Sequence, residues 1–164
     1  MDEYRQDLAV IIFVKNPVPG KVKTRLAAAV GNDKALAVYL DLITHTLKVA
    51  ENTAADRYIY FSDDIDESIG QNCLAFRKMI QSGADLGEKM RNAFNDILSS
   101  AYQKVIIIGT DCPGISPEIL QQALDELNDT DVVIGPAADG GYYLLGMKAP
   151  HPQLFDTIEW STPV

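Results

Sequence analysis

The chain has 164 residues, 47% of them hydrophobic and 23% charged, with a formal net charge of −9. That length fits one domain able to bury about 70% of the surface its unfolded chain exposes. The acidic balance argues against nucleic-acid binding, which needs a basic face to neutralise phosphates. The longest apolar run, Leu8 to Val14, is far shorter than the roughly 20 residues a membrane span requires. The first residues, "MDEYRQD", are charged and mostly acidic, unlike a signal or transit peptide, so a cytoplasmic protein is expected. Cys73 and Cys112 lack CxxC spacing and are read as free thiols rather than as a disulfide or a zinc site.

In chain order, the first element is "LAVIIFV" from Leu8, β-branched and continuously apolar. This is how a strand buried on both faces of a parallel sheet reads. The segment that follows, "KNPVPGKVKTRL", gathers Lys15, Lys21, Lys23 and Arg25 around Thr24. Pro17 and Pro19 exclude regular structure there, and Gly20 permits a backbone conformation closed to other residues. At a strand's carboxyl end this equipment suits a di- or triphosphate, with the arginine offering a bidentate fork. Val22 after Gly20-Lys21 rules out a Walker A loop, and GxGxxG is missing as well. A solvated basic turn is the competing reading.

Leu36, Leu40, Ile43, Leu47 and Ala50 then recur at three- and four-residue spacing and predict an amphipathic helix over 32–52. "RYIYFS" from Arg57 is a second strand, and "DDIDE" from Asp63 reads as a solvated acidic loop. In "GADLGEKM", Asp85 suits a helix N-cap and Glu88 the positive end of the dipole. The helix that follows turns Met90, Phe94, Ile97, Leu98 and Ala101 to one face. "KVIIIG" from Lys104 is a third strand, buried like the first, and runs into "GTDCPGIS".

Asp111, between Gly109 and Pro113, stands where a carboxylate can hold a divalent metal, since Mg²⁺ takes one or two carboxylates plus substrate phosphates. A turn aspartate bonding nearby amides is the alternative. The basic loop after the first strand tips the reading toward metal. Cys112 has no activating histidine in view and is read as a packing residue. His45 and His151 likewise have no evident catalytic partner.

Ser116, Pro117 and Glu118 open another helix in the manner of an N-cap, N1 and N2. "DVVIGP" from Asp131 is read as a fourth strand, again buried on both faces, and "YYLLGM" from Tyr142 as a fifth that returns antiparallel. Between them, "AADGG" makes Asp139 a candidate for hydrogen bonds to sugar or acceptor hydroxyls, with Tyr142 able to stack. A plain hairpin turn explains the same residues. Alternating strands and helices predict a single-domain α/β protein with a mostly parallel sheet, whose ligands bind beyond the carboxyl ends of the strands.

Five ordered blocks, "FVKNPVPGKVKTRL", "GADLGEKMRNAF", "GTDCPGIS", "GPAADGGYYLLG" and "LFDTIEWST", resemble bacterial glycosyltransferase-like proteins of the GT-A, or nucleotide-diphospho-sugar transferase, fold. That group was long a domain of unknown function, and some members are arsenosugar-biosynthesis glycosyltransferases. It is distantly similar to small guanylyltransferases. The resemblance spans nearly the whole chain and implies a three-layer α/β/α domain over 1–164. It implies nucleotide-phosphate contacts from Lys15, Gly20, Lys23, Thr24 and Arg25, and Mg²⁺ or Mn²⁺ at Asp111. It puts Asp139, Gly140, Gly141 and Tyr142 on the sugar or acceptor side, closed by Trp160, Ser161 and Thr162.

Two features depart from the pattern. Asp111 is a single carboxylate where GT-A enzymes carry Asp-x-Asp, and family members continue past "WSTPV" with a further helix, strand and Asp-rich motif. The function so implied is glycosyl transfer from a nucleoside-diphosphate sugar to a small-molecule acceptor, with Asp139 as base. The alternatives are nucleotidyl transfer from a nucleoside triphosphate, releasing pyrophosphate, and nucleotide binding without turnover. The residues leave the base, sugar, acceptor and oligomeric state open.

Overall fold

The computed structural model describes residues 7–73 and 75–156. Trp160, Ser161 and Thr162 lie outside these residues. The first apolar run forms β1 (Leu8–Val14), with every residue from Ala9 onward buried. It pairs in parallel with β2 (Asp56–Phe61) on one side and with β4 (Lys104–Ile108) on the other. These are the β-branched and aromatic runs expected to sit between two helical layers.

One layer is α2 (Asn32–Glu51) together with α4 (Pro117–Glu126). These helices pack Tyr39, Ile43, Leu47, Leu120 and Leu124 against Val10, Ile12, Ile59 and Ile106. The opposite face carries α3 (Leu86–Leu98), whose Met90, Phe94 and Ile97 meet Ile11, Tyr58, Tyr60 and Ile107. The three-layer α/β/α arrangement that the family resemblance implies is the one observed. No helix among the described residues is long and apolar enough to cross a membrane.

The six-stranded sheet runs β3-β2-β1-β4-β6-β5. Its first four strands are parallel, and β6 (Tyr142–Met147) returns antiparallel against β4, as "YYLLGM" suggested. β5 (Val132–Pro136) differs from expectation. Its sequence reads as a strand buried on both faces, but it lies antiparallel to β6 at the sheet edge, with Ile134 52% exposed. Insertion of β6 between β4 and β5 is what leaves the latter on the rim. Two further elements were not foreseen: α1 (Thr24–Val30), immediately after the basic loop, and β3 (Arg77–Ile80), an edge strand.

On α2 the buried face is Ala35, Tyr39, Ile43, Leu47 and Ala50, while Leu40 of the expected stripe is exposed. Helix starts follow the expected capping chemistry. Asp85 Oδ1 accepts from Glu88 N at 2.8 Å, and Glu88 Oε2 accepts from Ala84 N at 3.2 Å. Ser116 Oγ accepts from Ile119 N at 3.3 Å, with Pro117 in the first turn.

Tyr60 is 2% exposed, and its hydroxyl is buried with no hydrogen-bond partner. Burial, with lesser contributions from the nearby charge of Asp96 and from Tyr58, pushes the phenol up to about 12. A phenol that ionises at about 10 in the unfolded chain but near 12 in the native one binds fewer protons unfolded than folded across that interval. Stability therefore falls as pH rises from about 10 toward 12. Tyr60→Phe removes the unpaired donor and is predicted to gain about 1 kcal/mol at pH 7. Urea denaturation at pH 7 and pH 11 should show that gain, and a smaller alkaline loss than in the parent.

Candidate nucleotide site at the carboxyl edge of the sheet

From β1 the chain moves outward to β2 and β3 on one side, then crosses back to β4 on the other side of β1. The loops leaving β1 and β4 both lead into the same helical layer and lie side by side beyond the carboxyl ends, the end of the sheet where α/β proteins bind ligands. Here the two loops are the basic segment after Val14 and the Gly109-Thr110-Asp111 segment after Ile108.

The basic loop is held by bonds that the motif alone did not reveal. Asn16 ties it to the end of β2: its amide donates to Ser62 Oγ at 2.9 Å, its Nδ2 to Asp64 O at 2.8 Å, and its Oδ1 accepts from Asp63 N at 3.0 Å. Around Pro19 and Gly20 the chain turns on itself, with Lys21 N donating to Val18 O at 3.0 Å and Gly20 at φ +81°. Val22 then drops into the core at 3% exposure. That anchor leaves Lys21 exposed on one side of it and Lys23 half-buried on the other. The residue that breaks a Walker A reading thus pins the loop.

Lys23 caps α1 with its backbone in the left-handed region (φ 49°, ψ 45°), and its carbonyl accepts from Ala27 N at 2.8 Å. Its Nζ lies 2.7 Å from Asp111 Oδ1. The cation loop and the acid, more than 80 residues apart in sequence, therefore meet. A second link runs beneath them. Tyr39, 4% exposed, donates from its hydroxyl to Lys15 O at 2.7 Å and accepts from Thr110 Oγ1 at 3.4 Å. Burial pushes the Tyr39 phenol up against the opposing effect of these two bonds, so it stays a neutral donor. His45, whose Nε2 is 3.1 Å from Ile115 O, fastens α2 to the same acid-bearing loop. Tyr39 went unnoticed in the sequence, where it reads as one more apolar position of a helix; its single hint is a hydroxyl on a buried stripe.

The hairpin lies at the same end of the sheet, because Ile108 pairs with Leu144 and Pro136 with Tyr142. Asp139 Oδ1 accepts from Gly141 N at 3.0 Å, and Gly140 takes φ +89°, so this aspartate has a structural use as a turn former. It is nonetheless exposed, as are Gly140 and Gly141. Tyr142 is half-buried against the α3 side, where burial raises its phenol. Thr24 and Arg25 occupy the exposed first turn of α1, and Lys15 is also exposed.

Among the described residues, no group of three or more His, Cys, Asp or Glu could hold a metal by itself. Asp111, whose side chain is 77% exposed, offers a single hard carboxylate of the kind Mg²⁺ takes together with phosphate oxygens.

Comparison with known proteins agrees with this fold. Residues 45–162 match the model of a family described as uncharacterized proteins conserved in bacteria (DUF2064). A crystal structure described as a "putative nucleotide-diphospho-sugar transferase" from Desulfovibrio desulfuricans G20 is 36% identical, with a TM-score of 0.90 over 96% of this chain and 71% of that one. A 2-phospho-L-lactate guanylyltransferase of Methanocaldococcus sp. (strain FS406-22) is 27% identical over 139 residues, 85% of this chain. The chain spans 59% of the length of that curated relative. The fold is shared more distantly by Rv0371c of Mycobacterium tuberculosis H37Rv, solved with manganese, at 12% identity and a TM-score of 0.55 over 93% of this chain and 76% of that one. The chain belongs to the DUF2064 family and has the fold of the nucleotide-diphospho-sugar transferases.

Proposed function

We propose that the protein transfers a glycosyl group from a nucleoside-diphosphate sugar to a small-molecule acceptor. The observation that carries this reading is the 2.7 Å approach of Lys23 to Asp111, which brings the cation loop and the acid together at the carboxyl edge of the sheet. Lys15, Lys23 and Arg25 would hold the diphosphate oxygens, with Gly20 and Thr24 offering backbone and hydroxyl contacts. In the reaction the bond from the anomeric carbon to the diphosphate breaks, and one from that carbon to the acceptor oxygen forms. The acceptor proton passes to Asp139, and the nucleoside diphosphate leaves.

Asp111 would hold Mg²⁺ or Mn²⁺, whose charge stabilises the diphosphate as it departs. The cations of this chain serve the same end, fixed in place before the charge develops. The hairpin of Asp139, Gly140, Gly141 and Tyr142 would form the sugar and acceptor side. Trp160, Ser161 and Thr162 are assigned to that side by family resemblance.

Nucleotidyl transfer is a second reading, favoured by the similarity to the guanylyltransferase. In it, an acceptor oxygen attacks the α-phosphorus of a nucleoside triphosphate and pyrophosphate leaves. The same residues serve both reactions, so the leaving group separates them. Incubation with sugar nucleotides and nucleoside triphosphates plus Mn²⁺ is expected to release nucleoside diphosphate; pyrophosphate alone would transfer the case to the second reading. Asp111→Asn is predicted to lower metal-dependent turnover at least 100-fold with the melting temperature preserved. Unchanged turnover would remove Asp111 from the site. Tyr39→Phe, which frees the Lys15 carbonyl, is predicted to cost about 1 kcal/mol of stability. It should also weaken nucleotide binding severalfold, which calorimetry on the folded variant can read.

A further inference from the structure

Lys23 is an odd choice for folding alone. It sits at the N-cap of α1, where Ser, Thr, Asp or Asn would cap, and its side chain makes no cap bond. It also holds a left-handed backbone (φ 49°) that costs a non-glycine residue roughly 1–2 kcal/mol. Its ion pair with Asp111 cannot repay much of that. Asp111 is 77% exposed, and pairs of this kind contribute about 0–1 kcal/mol. What the local geometry does achieve is to set Nζ 2.7 Å from one carboxylate oxygen, with Val22 anchoring the chain one residue before.

We propose that Lys23 is an exchangeable counter-ion of Asp111, competing with a divalent metal for that carboxylate until a diphosphate draws its ammonium away. This deepens the reading above, and rests on it, by giving the site an order of binding. A divalent cation and an ammonium cannot both sit on Oδ1 without strong like-charge repulsion. Metal alone therefore binds poorly. A diphosphate offers the Nζ several anionic oxygens in place of one and releases the Asp111 carboxylate for metal. Diphosphate and metal then bind with positive coupling arising within the protein, in addition to their affinity for each other in solution.

The test uses the full chain and two simple probes, each measured without the other. Mn²⁺ alone is titrated by electron paramagnetic resonance, and inorganic pyrophosphate alone, in EDTA, by calorimetry. Lys23→Met should tighten Mn²⁺ about fivefold, the most an exposed pair of this kind is worth, and should weaken pyrophosphate at least fivefold. Adding Asp111→Asn to it should abolish the gain, and Lys23→Arg should behave as the parent. Lys23→Gln, measured alongside, guards against a folding defect peculiar to methionine.

Equal Mn²⁺ affinity in the parent and both neutral variants, with binding still lost in Asp111→Asn, overturns the exchange but leaves Asp111 as the metal residue. No Mn²⁺ binding in any variant, even with saturating pyrophosphate, overturns the exchange together with the metal assignment beneath it.

Discussion

The central position of β1 is the constraint on which the rest of the structure depends. Residues Ala9 to Val14 are buried on both faces, so both neighbours in the sheet must be strands and both faces must be covered by helices. Parallel neighbours require crossover connections, which α1 and α2 provide toward β2. With β4 parallel beside β1 and with α2 and α4 in one layer, the loops leaving β1 and β4 meet at one edge. The juxtaposition of the two loops is thus a consequence of strand order.

They carry opposite charges. A chain with a net charge of −9 brings Lys15, Lys21, Lys23 and Arg25 to one loop and sets Asp111 against it. Such a local concentration of cations in an acidic protein focuses attraction for a small anion without attracting a polyanion over the whole surface. The precision of the arrangement comes from uncharged groups: Asn16 stitched to the end of β2, Val22 sunk into the core, and Tyr39 bonded to both loops from below. Charged and anchoring side chains are thereby divided between neighbouring residues, cations outward and anchors inward.

Much of this is legible in the residues because local chemistry and tertiary context agree. β1 and β4 are β-branched runs in the layer where such runs belong, and Asp85 and Ser116 cap the helices their positions announce. Legibility fails where pairing across the sheet decides the outcome. β3, "RKMI", has no strand pattern of its own and exists through its ladder with β2. β5 has the apolar look of an interior strand, yet β6 takes the inner place. The short α1 is masked by the cations at its start. At the site, the cations and Asp111 announce themselves by type, whereas Tyr39 does not, since a buried tyrosine on a helical stripe looks like packing until its hydroxyl is seen between Lys15 and Thr110.

The most direct test is a crystal structure grown with a nucleoside diphosphate and Mn²⁺, with data collected at the manganese absorption edge. The account predicts an anomalous peak beside Asp111, with the diphosphate spanning from that ion to the loop of Lys15, Lys23 and Arg25. A peak elsewhere, for example at the Asp63–Asp64 loop, with the diphosphate clear of those three cations, would contradict it.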